Sequence, residues 1–231
     1  MKIFNPDSPV MVVLSRIGDL VILNILTLLL CIPVVTAGAA FTAEYYVLLK
    51  IRRDEDSGTV KMYFKSFKEN FRQATVIWFI TLFAIGMPLV SLWLIQSNYG
   101  DATPVYAKVL LSGAVLFAAF FLVMAFPALS RFVGTVGSTL KTSIVLAISN
   151  PPRTFLIIIL LIAPFILTYY FEVVLPLLIL FGFSLPAFLS VLLYNKQFVK
   201  LEEQSFKAEG KAAPGSEDEH IFSDMTIEDE K

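Results

Sequence analysis

The sequence is poor in the residues on which most enzyme active sites depend. Among 231 residues it has one histidine, one cysteine and only 16% charged residues. The single histidine, His220, lies in a polar C-terminal stretch, so histidine-based triads, zinc sites and haem ligation have no residues elsewhere. Cys31 is alone, and no Walker-type or dinucleotide-binding glycine loop is present. We therefore predict no enzyme activity, no metal site and no cofactor.

Hydrophobic residues, in contrast, make up 57% of the chain. A helix needs about 20 mainly apolar residues to cross a hydrocarbon core of about 30 Å, and it satisfies its own backbone hydrogen bonds there. Long stretches without any Asp, Glu, Lys or Arg cover residues 20–43, 73–100, 109–130, 154–171 and 173–195. The sequence therefore predicts an all-α fold, a polytopic membrane helix bundle.

The number of membrane helices depends on the first apolar region, residues 17–49. Pro33 and Gly38 interrupt this region, because proline disfavours helix in the preceding residue and glycine loosens a helix. We predict two helices here, at about residues 10–32 and 38–53. The second helix either recrosses the bilayer, giving six membrane helices in all, or lies along the interface, giving five.

Basic residues predict the orientation of the bundle. The densest group of Lys and Arg lies in residues 50–72, which places this loop on the cytoplasmic side. Alternation from this loop also puts the predicted loop at residues 131–153, with Arg131, Lys141 and Arg153, on the cytoplasmic side. It puts Lys2 and Arg16 inside if there are six spans and outside if there are five, so six spans with both termini cytoplasmic are preferred. Since a basic excess in a membrane protein reflects this topology, we predict no nucleic-acid partner.

The C-terminal end differs in charge from the rest of the chain. Residues 1–200 hold 15 Lys and Arg against 9 Asp and Glu, whereas residues 201–231 hold 3 against 10. The end segment also has few apolar residues, which is typical of disorder. We therefore predict a helical transmembrane domain over 1–200 and an acidic, disordered cytoplasmic tail over 201–231. The sequence leaves the oligomeric state open.

The basic loop contains a predicted amphipathic helix. Phenylalanines recur at intervals of three and four, and Lys and Arg recur with similar spacing on another side. Such a helix can dock against anionic lipid or a partner subunit, or it can simply be a cationic interfacial helix that leads into the span starting near Ala74. The candidate contact residues are Lys61, Phe64, Lys65, Phe67, Lys68, Phe71 and Arg72.

Polar residues also occur in and beside the first apolar region, at Asp19, Asn24 and Glu44. An ionisable group at membrane depth is costly and usually pairs or faces a cavity, so these residues are candidates for a polar path. Structural roles are the alternative, because Asp19 can pair with Arg16 three residues before it and Asn24 can hydrogen-bond another helix. Small residues that would let helices approach closely are Thr36, Ala37, Gly38, Ala39, Ala40, Thr42 and Ala43.

Four short blocks follow one another in the N-terminal third. They are LSRIGDL at 14–20 with Asn24, LCIPVVTAGAA at 30–40, YYVLLK at 45–50 and SFKENFRQA at 66–74. In this order they resemble the YesL-like family of bacterial multi-spanning membrane proteins, a domain family of unknown function. The similarity continues more weakly through NPPR at 150–153 and LLYNK at 192–196. Glu44 departs from the family pattern, which has an apolar residue before the paired tyrosines.

The resemblance implies a multi-pass plasma-membrane protein, often encoded beside carbohydrate uptake and degradation genes and without an assigned activity. We therefore expect an accessory or scaffold component in carbohydrate uptake or utilisation. Its expected partners are membrane lipids and carbohydrate transporter subunits. The alternative is a small transporter or channel with a polar path through Asp19, Asn24 and Glu44.

Overall fold

The computed structural model describes residues 9–53, 58–100, 103–132 and 134–208. Of these residues 92% are helical and none lies in a strand, which confirms the predicted all-α bundle. The chain divides after Val191 into two units. In the second unit, the rings of Tyr194 and Phe198 pack edge to face with their centroids 4.7 Å apart.

The helices vary widely in length. Short 3-10 turns at Val34–Thr36 and Glu172–Val174 precede the second and eighth of the described α-helices. In chain order these are α1 (Pro9–Cys31), α2 (Ala37–Arg52), α3 (Thr59–Tyr99), α4 (Val105–Leu122), α5 (Ala125–Arg131), α6 (Val136–Ser149), α7 (Pro151–Tyr170), α8 (Leu175–Phe181) and α9 (Ser184–Ala208).

In the described part of the chain, five helical segments are long and apolar enough to cross a membrane. A sixth span is formed if α8 and the first part of α9, which are bent by 55° relative to each other, cross together. The five segments are Val10–Cys31, Val34–Arg52, Thr59–Tyr99, Val105–Arg131 and Pro151–Tyr170.

The first apolar region is broken where the sequence predicts. Between α1 and α2 lie Pro33 and the turn Val34–Thr36. The Thr36 hydroxyl lies within hydrogen-bonding distance of the Leu30 carbonyl and, at 2.7 Å, of the Pro33 carbonyl. The end of a helix leaves carbonyls without partners, so these contacts stabilise the break. The prediction of two helices in this region is confirmed.

α2 is the most enclosed of the candidate spans. Two thirds of it (67%) is buried, against 17% or less of each other candidate span. It packs against α1, α3 and α5, so it lies inside the bundle and not along its edge. This position favours a helix that recrosses the bilayer over one that lies along the interface.

Small residues bring α2 and α3 into close contact. A Cβ atom built on Gly38 would come within 2.5 Å of the Ala74 carbonyl oxygen and 2.6 Å of Trp78 Cβ. Only glycine fits this position without a shift of α3. The predicted close approach is confirmed, and the neighbouring buried residues of α2 are Ala37, Ala39, Ala40, Thr42 and Ala43.

The predicted amphipathic helix is the first part of α3 and not a separate helix. Residues 59–85 contain no glycine or proline, so nothing interrupts the helix before Gly86 and Pro88. With 41 residues at about 1.5 Å each, α3 is about 60 Å long. Because this is about twice the thickness of a hydrocarbon core of about 30 Å, roughly half of α3 extends beyond the core.

Two other segments differ from the sequence-based expectation. Residues 131–153, predicted as a loop, contain α6, whose first turn is capped by Thr135 Oγ1 accepting from Ser138 N at 3.3 Å. α9 continues to Ala208, so residues 201–208 are helical and the prediction that disorder begins at residue 201 is wrong. These eight residues lack glycine and proline and consist mainly of good helix formers. Residues 209–231 of the predicted acidic tail, including His220, lie outside the described residues.

Candidate functional site

Asp19 lies where α1 contacts the beginning of α3. Its Oδ1 accepts a hydrogen bond of 2.7 Å from the Thr59 hydroxyl, and its Oδ2 lies 4.0 Å from Arg16 Nη1. The predicted pairing of Asp19 with Arg16 is confirmed. Since Thr59 is the first residue of α3, the carboxylate of Asp19 fixes the start of α3 against α1.

Asn24 is fully buried, and its side-chain amide joins α1 to the break between α8 and α9. Nδ2 donates to the carbonyls of Leu178 (3.3 Å) and Ile179 (2.6 Å). Oδ1 accepts from the backbone N–H groups of Phe183 (2.7 Å) and Ser184 (3.1 Å). These contacts use both donors and both acceptor positions of the amide. The predicted hydrogen bond to another helix is confirmed, and Asn24 caps both helix ends at the break.

Glu44 lies on α2 and is only 1% exposed. The Thr27 hydroxyl is within hydrogen-bonding reach of its carboxyl group. Thr27 Oγ1 in turn lies 3.2 Å from the Tyr63 hydroxyl, which donates to the Ala40 carbonyl at 3.2 Å. The other carboxyl oxygen, Oε1, has no hydrogen-bond partner within the described ranges. Because an unpartnered carboxyl oxygen inside a membrane protein costs free energy, Glu44 is the strongest candidate for a functional polar group.

Glu44 also lines a cavity of about 380 Å³ in the first unit. Of the described residues around it, Glu44 is the only charged one, and most of the others are aromatic or aliphatic. Ile162 and Phe165 of α7 line the cavity and are also about half exposed on the outside of the bundle (46% and 45%). The cavity therefore reaches the outer surface beside α7, and its volume falls within the range of about 300–1,000 Å³ typical of small-molecule sites. We call it the Glu44 cavity.

Aromatic rings surround Phe41 at the wall of the Glu44 cavity. The centroid of the Phe41 ring lies 5.8 Å from that of Trp78, 5.9 Å from that of Phe126 and 5.7 Å from that of Phe183. The indole Nε1 of Trp78 donates to the Val34 carbonyl at 2.7 Å, which fixes its ring. Four rings, from α2, α3, α5 and the turn between α8 and α9, thus meet on one side of the cavity.

The predicted polar residues do not share contacts. Among the described side chains, no hydrogen bond or ion pair joins Asp19, Asn24 and Glu44 to one another. On α1, Asp19 lies eight residues before Thr27, about 12 Å along the helix axis. Asp19 and Asn24 hold helix ends in place, and Glu44 alone faces the cavity.

The first part of α3 presents three faces. One face is buried and includes Met62, Tyr63 and Ser66. The aromatic residues lie outside this face: Phe64 and Phe71 are exposed, and Phe67 packs on Phe71 with 5.5 Å between ring centroids. The basic residues form the third face and are also exposed. We call the last two together the basic–aromatic face, which consists of Lys61, Phe64, Lys65, Phe67, Lys68, Phe71 and Arg72.

The described ranges contain no group of three or more His, Cys, Asp or Glu residues that could hold a metal ion. Cys31 is a half-buried free cysteine at the end of α1. In the described part of the chain, the candidate site therefore consists of a carboxyl group, hydroxyl groups and aromatic rings, which are groups that can bind a ligand.

Comparison with known proteins identifies the family of the N-terminal part. Residues 20–92 match the family described as "Protein of unknown function, DUF624", which is the YesL-like family. The chain is thus similar to the YesL-like family over this segment. The YesL-like segment contains Asn24, Glu44 and the whole basic–aromatic face, whereas Asp19 directly precedes it. No curated protein and no solved structure matches the chain.

Sequence analysis missed the Glu44 cavity because its wall is assembled from distant parts of the chain. Phe41, Trp78, Phe126 and Phe183 belong to no shared motif, and only the fold brings their rings together. The one available signal was Glu44 itself, an acid within the first apolar region.

Proposed function

We propose that the protein is a non-enzymatic accessory or scaffold component of carbohydrate uptake or utilisation in the plasma membrane. The carbohydrate context comes from the resemblance to the YesL-like family. The accessory role is supported chiefly by one observation, the exposure of the basic–aromatic face on the first part of α3.

The geometry of α3 holds this face in a defined place. The buried face of α3 packs against α2, and Asp19 hydrogen-bonds to Thr59, the first residue of α3. These contacts hold the basic–aromatic face in place on the bundle. Near an anionic leaflet each Lys or Arg contributes about 1 kcal/mol, and neighbouring phenylalanines can insert at the headgroup boundary. We therefore expect contact with the cytoplasmic leaflet and with a carbohydrate transporter subunit docked at the same level.

Photo-crosslinking tests this proposal directly. A photoreactive phenylalanine analogue at position 67 should capture a subunit of a carbohydrate transporter, together with lipid, in native membranes. The matched control is the same analogue at Phe83, which is 69% exposed further along α3 and should capture lipid alone. The proposal would be contradicted if the analogue at position 67 captured no transport component and if deletion of the gene left sugar uptake unchanged.

A small transporter or channel is the second candidate, and the Glu44 cavity is the observation that favours it. A path that also used Asp19 and Asn24 would have to break the contacts that hold the ends of α3, α8 and α9. Flux of a sugar or an ion into vesicles reconstituted with the pure protein, lost on Glu44→Gln, would support transport. No flux of any tested sugar or ion would count against it.

A further inference from the structure

The Glu44 cavity combines one buried acid with an aromatic wall. We propose that it binds a lipophilic organic cation, a molecule with an apolar body and one positively charged nitrogen. This inference rests on the cavity alone and holds whether or not the accessory function is correct.

The carboxyl group supplies the first argument. Glu44 is enclosed, and its Oε1 has no hydrogen-bond partner among the residues that the structure describes. No Lys, Arg or His in the described part of the chain lines the cavity. A buried carboxylate without a positive partner is strongly disfavoured, and a ligand cation in the cavity would supply that partner.

The aromatic rings supply the second argument. Phe41 precedes Glu44 by three residues on α2, so the two side chains lie on the same face of the helix. The rings of Trp78, Phe126 and Phe183 all have their centroids within 6 Å of that of Phe41. A cation is attracted to the face of an aromatic ring within about 6 Å, most strongly when water is excluded. The wall thus favours a positively charged nitrogen beside the carboxylate.

The remaining lining decides between ligand classes. Apart from Glu44, Tyr45 and Thr81, it offers only apolar side chains, so a sugar would lose the hydrogen bonds of most of its hydroxyl groups on entry. A lipid acyl chain would fit the apolar wall but would leave Oε1 of Glu44 without a partner. The exposed Ile162 and Phe165 mark an entrance on a membrane-spanning helix, which a lipophilic ligand can reach through the hydrocarbon phase.

The two tryptophans allow a direct binding assay. Trp78 lines the cavity, whereas Trp93 lies outside it and is 66% exposed. In full-length Trp93→Phe protein in phosphatidylcholine nanodiscs, Trp78 is then the sole tryptophan reporter. The probes are benzyltrimethylammonium and its uncharged counterpart of equal shape, neopentylbenzene. We expect the cation to change Trp78 fluorescence saturably and to bind at least about tenfold more tightly than the neutral compound.

Variants of the lining residues test whether the cavity causes the preference for the cation over the neutral compound. Glu44→Gln keeps the size of the side chain and should weaken cation binding at least about tenfold while leaving the neutral compound unaffected. Phe41→Leu removes one ring and should weaken cation binding severalfold, which gives a second test if Glu44→Gln does not fold. Glu69→Gln, at an exposed acid of α3 outside the cavity, is the matched control and should change nothing.

Two results would overturn the inference. One is equal affinity of the unaltered cavity for the cation and its neutral counterpart, which would assign the cavity to an apolar ligand such as an acyl chain. The other is undiminished cation binding by both the Glu44 and the Phe41 variants, which would place the binding elsewhere.

Discussion

Asn24 on α1 is the only described side chain that hydrogen-bonds to the backbone at the break between α8 and α9. Replacing it by alanine removes this cap. The substitution leaves two carbonyls, of Leu178 and Ile179, and two amides, of Phe183 and Ser184, without their contacts to the side chain. Two of these four hydrogen bonds are short, at 2.6 and 2.7 Å. The two helices are bent by 55° at this break, where the helical ladder is interrupted, so the Asn24 side chain supplies partners that the ladder does not.

The expected loss of stability follows from the number of these hydrogen bonds. An interhelical hydrogen bond in a membrane protein contributes about 0.6 kcal/mol on average, so four of them contribute about 2 kcal/mol. Leaving a buried donor or acceptor unpaired costs about 1–3 kcal/mol, which raises the estimate if water does not reach the break. We therefore expect Asn24→Ala to lower the free energy of unfolding by about 2–5 kcal/mol.

The assay has a matched control in the same chain. Asn98 is exposed near the end of α3 and donates to the Leu94 carbonyl of its own helix at 2.7 Å, so Asn98→Ala should cost less than about 0.5 kcal/mol. Unfolding of both variants in mixed detergent–SDS micelles measures the difference, and hydrogen exchange at Phe183 and Ser184 locates it. Equal stability of the two variants, with unchanged exchange at these two amides, would refute the capping role of Asn24.

Two other predictions concern packing and topology. Gly38→Ala should lower the free energy of unfolding by about 1–3 kcal/mol, because its Cβ would collide with the backbone of Ala74. The control is Gly113→Ala, which has open space around the new Cβ and should not destabilise the protein. Thermal unfolding of the two variants checks this prediction. In a cysteine-free Cys31→Ala background, a cysteine at position 2 should react with a membrane-impermeant thiol reagent from the same side of the membrane as a cysteine at position 60. Reaction of the two cysteines from opposite sides would exclude six spans with both termini cytoplasmic.

Features encoded in neighbouring residues were predictable from the sequence. The break near Pro33 and the close approach at Gly38 depend on single residues with known backbone and steric effects. The need of Asn24 for a partner was also predictable, since an amide in an apolar run must be satisfied. Its partner was not, because Leu178 lies 154 residues away in sequence.

Features that depend on the assembly of several helices were not predictable. The Glu44 cavity needs α2, α3, α5 and the α8–α9 break to meet, and no local pattern records that meeting. The end of α9 was misplaced for a different reason. Charge composition indicates disorder over the tail as a whole. Residues 201–208, however, have high helix propensity, so α9 continues to Ala208, two residues before Gly210.

The accessory function rests on the basic–aromatic face, and sugar uptake by cells tests it most directly. A strain lacking the gene would be complemented with the unaltered protein, with Lys68→Gln/Arg72→Gln, or with Lys141→Gln/Arg153→Gln. Each double variant removes one exposed Lys and one exposed Arg from the predicted cytoplasmic side, but only the first alters the face. At equal protein levels, we predict that uptake falls with the first variant alone. Equal uptake with all three proteins would contradict the account.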